Sequence, residues 1–231
     1  MELEKIHILE TQRATAVYRI ALLYGGRLTD VWLGCLLPQV QTYLLEHPSH
    51  WVDVHLAVNT REMPDLTPLG PILASCTTED YTEQYKLDIA QYPNARKAVE
   101  TDLYSMMAML YFNNKVWRQV KEPYDAWLKF RPDLVQQRLP EVPPLLCSNT
   151  VCIPGHSRHG IPPFNDQVAF GIDDASGNAY FSVYEKLKGF YDADDMFILH
   201  PESAIGYAIQ QAKINVKCLV YPYSLHPRRR G

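Results

Sequence analysis

Long hydrophobic runs are missing from this sequence. No stretch approaches 18 apolar residues, which excludes a membrane-crossing helix. The first 15 residues are charged and lack the apolar segment of a secretory leader. Cysteine is scarce and shows no CxxC pair: Cys35, Cys76, Cys147, Cys152 and Cys218 are odd in number and scattered. They read as reduced, mostly buried thiols in a reducing, cytoplasmic compartment. The CxxxxC spacing of Cys147 and Cys152 leaves a bridge or a metal pair open. Positive charge is in deficit as well, since 22 Lys and Arg face 26 Asp and Glu and leave a net charge of -4. Such a chain is a poor partner for nucleic acid, which demands a basic surface. The run Arg228-Arg229-Arg230 reads as a frayed tail. Internal repeats and low-complexity tracts are absent too.

What is present is the balance of a globular protein, with 47% hydrophobic and 21% charged residues in a chain of 231. That length suits one domain over residues 1–231, complete or cut from a longer chain. The β-forming run Val17 to Tyr24 reads as a buried strand broken by Gly25-Gly26-Arg27, with Thr29 or Asp30 capping a helix to Glu46 that contains Pro38. Trp51 to Val58 reads as a second strand, with Val52, Val54, Leu56 and Val58 on one face. Residues 59–93 carry many turn formers and no clear period. A helix is expected from Ala95 to Val120, on the stripe Val99, Leu103, Met106, Met107, Leu110 and Trp117. Strands follow at Tyr124–Phe130 and Asp166–Phe170, separated by a proline-rich segment over 139–163 that forms either a loop or edge strands. Helices are expected over Ser176–Leu187 and after His200-Pro201-Glu202, and Ile214 to Val220 alternates as a last strand. This alternation of strands and helices argues for an α/β sandwich around a mainly parallel sheet. Ligands of such sheets lie beyond the carboxyl ends of the strands.

Residues at those ends are therefore the candidates. Gly25 and Gly26 would let a ligand approach the backbone closely, and Arg27 is a bidentate phosphate donor; a plain strand-to-helix turn accounts for them equally well. Asp133, in Phe130-Arg131-Pro132-Asp133, can hold a divalent metal against a diphosphate while Arg131 neutralises it, or the two form a surface ion pair. Asp166 suits a sugar hydroxyl or a proton transfer, or simply opens its strand in an Asx turn. Glu202 is a base aimed into the crevice, or a partner of its helix dipole. His226 could complete a metal shell or is an exposed tail histidine, and the loop holding His156, Arg158 and His159 could cover phosphates or acceptor.

The order of these phrases resembles a glycosyltransferase of the GT-A type, in particular the small enzymes of bacterial surface-glycan clusters and large DNA viruses. Four phrases carry the likeness: Ala21 to Arg27 with Val52-Asp53-Val54-His55; Pro123-Tyr124-Asp125 through Arg131-Pro132-Asp133-Leu134, in the place of the family's DxD motif; Phe164-Asn165-Asp166-Gln167-Val168-Ala169-Phe170-Gly171; and His200-Pro201-Glu202 with Lys213-Ile214-Asn215-Val216. It spans roughly residues 17–226. The resemblance implies a GT-A, Rossmann-like three-layer sandwich. It implies transfer of a hexosyl or pentosyl group from a nucleotide diphosphate sugar, a UDP-sugar first, to a glycan hydroxyl. Glu202 would be the base with Asp166 in reserve; Gly25, Gly26, Arg27, Arg131 and Asp133 would border the nucleotide sugar; Asp133 and His226 would hold Mn²⁺ or Mg²⁺. Arg131 stands where the first acid of DxD is expected, and Ser203 follows Glu202 where a second acid is usual.

Two other readings stand beside this one. A binding module could keep the nucleotide pocket without the chemistry. A metal hydrolase could use His156, His159 and Asp166. Tyr81, Tyr85 and Trp127 are candidates to stack on a base or sugar.

Overall fold

Nine residues from Tyr18 to Gly26 form strand β1, two more at its carboxyl end than the sequence suggests. The computed structural model describes residues 11–27, 30–61, 65–93, 96–97, 102–130, 134–135, 147–154, 166–194, 197–219 and 224–225. Gly25 and Gly26 are thus the end of a strand and not a turn. Helix α1 runs Asp30–Glu46 as expected, with Pro38 inside it. Strand β2 (His50–Asn59) follows, and it is buried on both faces rather than one. The unassigned stretch after it folds as a 3₁₀ turn (Thr67–Ile72), strand β3 (Leu73–Glu79) and helix α2 (Thr82–Ile89).

The expected helix from Ala95 begins later. Arg96–Lys97 is a short strand, β4, and helix α3 spans Leu103–Gln119. Asp102 sets its start: the residue is extended, and its carboxylate accepts a hydrogen bond from Tyr104 N at 3.1 Å. Strands β5 (Ala126–Phe130) and β6 (Leu134–Val135) come next, then β7 (Thr150–Pro154) out of the proline-rich segment. Strand β8 (Val168–Gly171) starts two residues later than expected, leaving Asp166 and Gln167 as the bend before it. The single helix expected over Ser176–Leu187 is two, α4 (Asp174–Phe181) and α5 (Val183–Ala193), broken at Ser182. Asp173 caps the first by accepting from Ser176 N at 2.7 Å. Strand β9 (Ile198–Leu199), helix α6 (Pro201–Gln211), strand β10 (Asn215–Leu219) and strand β11 (Ser224–Leu225) are the last elements among the described residues.

Seven strands form one sheet in the order β10-β7-β8-β5-β1-β2-β3. All are parallel except β8, which pairs antiparallel with both β5 and β7. Two small pairs lie apart, β4 with β9 and β11 with β6. Alternate residues feed two cores. Ile20, Leu22, Val54, Leu56 and Leu128 pack under α1 with Val40 and Leu44. Ala21, Leu23, Trp127 and Ala169 pack under α3–α6 with Phe112, Phe181 and Ile205. The fold is therefore a three-layer α/β sandwich on a mainly parallel sheet, as expected. β7 is an internal strand, not an edge, and β10 is the edge, which leaves Asn215 to Cys218 exposed.

Cys76, Cys147, Cys152 and Cys218 are free thiols, and only Cys152 is fully buried. The expectation of mostly buried cysteines fails here because Cys147 precedes β7 and Cys218 lies on the open edge. No described helix is long and apolar enough to cross a membrane.

Candidate functional site

The parallel strands aim their carboxyl ends at one edge of the sheet, and their last residues meet there. Gly26 ends opposite Val58, and Asn59 is paired with Glu79, the last residue of β3. Phe130, the last residue of β5, faces Val168, the first of antiparallel β8. Asp166 and Gln167 therefore enter from the same edge at which β1, β2 and β3 finish.

A cleft of about 340 Å³ opens over the ends of β1, β2 and β3. It is lined by Arg27 just past β1, by Asn59, Thr60 and Arg61 at the end of β2, by Asp80 and Thr82 past β3, and by Tyr104 from the first turn of α3. Asp80 is the hinge of its wall. It takes hydrogen bonds from the Thr82 hydroxyl at 2.6 Å and from the Thr82 amide at 3.0 Å, and pairs with Arg61. The Thr82 hydroxyl first, then the Arg61 guanidinium, hold the Asp80 carboxyl at about 2. The Tyr24 hydroxyl donates to the Arg27 carbonyl and so fixes the turn after β1. The Arg27 side chain is exposed, and no carboxylate among the described residues engages it.

A second group sits further along the same edge. Glu202 lies in the first turn of α6 and is only 9% exposed; its Oε2 has no hydrogen-bond partner among the described residues. Burial raises its pKa to about 7, and the neighbouring Asp166 pushes the same way. Tyr180, buried under both, is raised well above the usual phenol value by burial and by the two acids. Lys129 is buried and donates to the main-chain carbonyl of Asp166. The helix N-terminus and a poised carboxyl together suit the removal or delivery of a proton near neutral pH.

No family model matches the sequence, and no curated protein matches it. A solved structure is similar in course. It is mouse xyloside xylosyltransferase 1 in its apo form, with 11% identity, a TM-score of 0.46, and coverage of 87% of this chain and 84% of that one. At that level the likeness decides neither the family nor the activity.

Of the residues singled out in the sequence, Arg27, Asp166 and Glu202 lie at the expected edge. Gly25 lies there too, but packing explains why it is glycine. An added Cβ would overlap the main chain of α3 at Phe112 and Asn113. Gly26 has φ 141°, which disfavours other residues. Arg131, Asp133 and His226 lie outside the described residues, as do His156, Arg158 and His159. Their flanks are described, however: Leu134 pairs with Leu225 across β6 and β11. Among the described residues no three His, Cys, Asp or Glu gather as a metal site.

The stacking candidates need correction. Trp127 is core, 3% exposed, its indole N–H donating to the Asp173 carbonyl at 3.2 Å and to Ser176 Oγ at 3.3 Å. Tyr81 is fully buried and donates to Asp88. Tyr85 is half-buried, packs edge-on against Tyr104 and is not among the residues that line the cleft. The phrase Asp53-Val54-His55 is also structural. Asp53, 1% exposed, accepts from Trp51 Nε1 at 2.8 Å, Arg19 at 2.6 Å and the Tyr124 hydroxyl at 3.1 Å. It ties the amino halves of β1 and β2 together, away from the cleft. Arg61 and Asp80 were missed because they sit in the stretch without a clear period, and Tyr104 because it lies inside the expected helix, off its apolar stripe. The Asp102 cap was the one local signal for Tyr104.

Proposed function

We propose that this protein is a glycosyltransferase of the GT-A type, moving a sugar from a nucleotide diphosphate sugar to an acceptor hydroxyl. The observation that carries this reading is the buried, unpartnered carboxyl of Glu202 beside Asp166, on the same sheet edge as a cleft lined by two arginines. Transfer needs both parts. A leaving diphosphate gathers negative charge as the anomeric bond breaks, and Arg27, with Arg131 from the segment after β5, would neutralise it. The acceptor hydroxyl must lose a proton, and Glu202 with a pKa of about 7 is half ionised at neutral pH and able to take it. In this reading Asp166 orients the acceptor or stands in as base, and Gly25 and Gly26 border the nucleotide through their main chain.

Asp133 and His226 are the proposed holders of Mn²⁺ or Mg²⁺. A carboxylate and an imidazole suit Mn²⁺ in particular. The pairing of Leu134 with Leu225 supports this assignment, since Asp133 immediately precedes the one and His226 immediately follows the other. The ion would supply Lewis-acid neutralisation of the diphosphate. UDP-sugars are the first donors to try, with a glycan hydroxyl as acceptor and a cytoplasmic site of action.

The test is a panel of UDP-, GDP- and dTDP-sugars, with and without Mn²⁺, read by thermal shift and by release of the nucleoside diphosphate. At least one donor should raise the melting temperature and be consumed. Binding without consumption, whatever the acceptor, would favour a binding module. No binding at all would end the nucleotide-sugar reading.

A further inference from the structure

We propose that Tyr104 is the aromatic surface on which the nucleobase of the donor stacks, an inference that rests on the nucleotide-sugar reading. Among the described residues Tyr104 is the one ring that lines the cleft over β1–β3. Three contacts hold it in place. The Asn59 side-chain amide donates to its hydroxyl at 3.2 Å. Tyr85 meets it edge-on at 5.0 Å and 75°, and Tyr81 lies tilted at 5.9 Å and 52°. Asn59 is itself fixed, because its side-chain oxygen accepts from Tyr81 N at 3.2 Å. The ring is therefore pre-set rather than free to swing, and it remains only partly buried.

The rest of the wall is polar and cationic. Arg27 is exposed across the cleft, while Arg61 is held by Asp80. A ligand that fits one fixed ring and a nearby guanidinium has a flat apolar face joined to an anionic group. A nucleoside diphosphate has that form: the base covers Tyr104 and the diphosphate reaches Arg27. Stacking on a ring tolerates any base, so the contact adds affinity for nucleotides in general over their phosphates alone. Discrimination between bases falls to other groups.

The experiment is calorimetric titration of the full chain with UDP, GDP and inorganic diphosphate, using wild type, Tyr104→Phe and Tyr104→Leu. The wild type should bind a nucleoside diphosphate more tightly than inorganic diphosphate. Tyr104→Phe should keep that preference within about threefold, and Tyr104→Leu should weaken the nucleoside diphosphate about tenfold or more while leaving inorganic diphosphate unchanged. A wild type that binds a nucleoside diphosphate, with Tyr104→Leu binding it equally well, overturns the inference and leaves the nucleotide-sugar reading standing. A wild type that binds no nucleoside diphosphate overturns both. Should Tyr104→Leu fail to fold, Tyr104→Trp gives a second readout. Its extra indole emission should be quenched by a nucleoside diphosphate and not by inorganic diphosphate, and an unquenched indole in a nucleotide-binding variant overturns the inference.

Discussion

Glu202 is buried beside Asp166, so one acid raises the proton affinity of the other. The sheet brings them together from distant parts of the chain. Asp166 enters at the bend before β8, where β5 ends, and Glu202 comes from the first turn of α6. Burial and a like charge act in the same direction on Glu202. A group placed this way titrates in the range where enzymes work.

The first consequence is for stability. Glu202 titrates at about 7 in the folded protein, against an ordinary 4.5. Between those values the folded state holds more protons than the unfolded one. Its contribution is complete below about pH 4.5 and is lost as pH rises through about 7. Glu202→Gln removes this dependence. Relative to that variant, the wild type should lose about 2 kcal/mol between about pH 5 and pH 8. Urea denaturation of both proteins across that range measures it, and parallel pH curves would contradict it.

The second consequence is for rate. If Glu202 is the base, kcat/KM for sugar transfer should rise with pH through an apparent pKa near 7. Glu202→Gln should cost about 10²–10⁴ in turnover. Asp166→Asn removes a charge that raises the Glu202 pKa, so the ionised base persists to lower pH. The acid limb of the profile should then move down. A profile that stays in place in Asp166→Asn would separate the two residues.

Much of the architecture was legible in the residues. The α6 start at Pro201 came from a local signal, a proline at the first turn, and helix α1 keeps its expected span, while its cap candidate Thr29 lies outside the described residues. Strand β2 was legible from Val52, Val54, Leu56 and Val58, but the burial of its other face was not. Asp53 and His55 look like solvent-facing residues until α3 and the Arg19–Tyr124 network cover them. Burial then drives the His55 imidazole below its usual value. Arg27, Asp166 and Glu202 could be picked out because they follow or open elements. Arg61, Asp80 and Tyr104 could not, because what makes them neighbours is the alignment of three strand ends. No spacing along the chain encodes that alignment.

Gly25 illustrates the difference between a glycine kept for a ligand and one kept for packing. The main chain of α3 passes so close that a single methyl group would overlap Phe112 and Asn113. Neither is a flexible side-chain end that can move aside. Gly25→Ala should therefore destabilise the fold by about 1–3 kcal/mol, the range of overpacked cores. The loss should appear equally with and without nucleotide. A Gly25→Ala protein of normal stability that has lost nucleotide binding would instead show that glycine is kept at this position for the ligand.

The proposed metal pair is the assignment most open to direct attack. Leu134 and Leu225 are register partners on antiparallel strands, and the residues next in each chain, going outward, are Asp133 and His226. If they hold a divalent ion together, Asp133→Asn should cut turnover at least about tenfold, as the loss of a charged ligand at a diphosphate site would. His226→Ala should weaken the response to Mn²⁺ more than it lowers the rate at saturating metal, because an imidazole contributes affinity without charge. Manganese titration of turnover in both variants distinguishes the roles. Full activity of both in the presence of a chelator would assign the neutralisation of the leaving diphosphate to Arg27 and Arg131 alone.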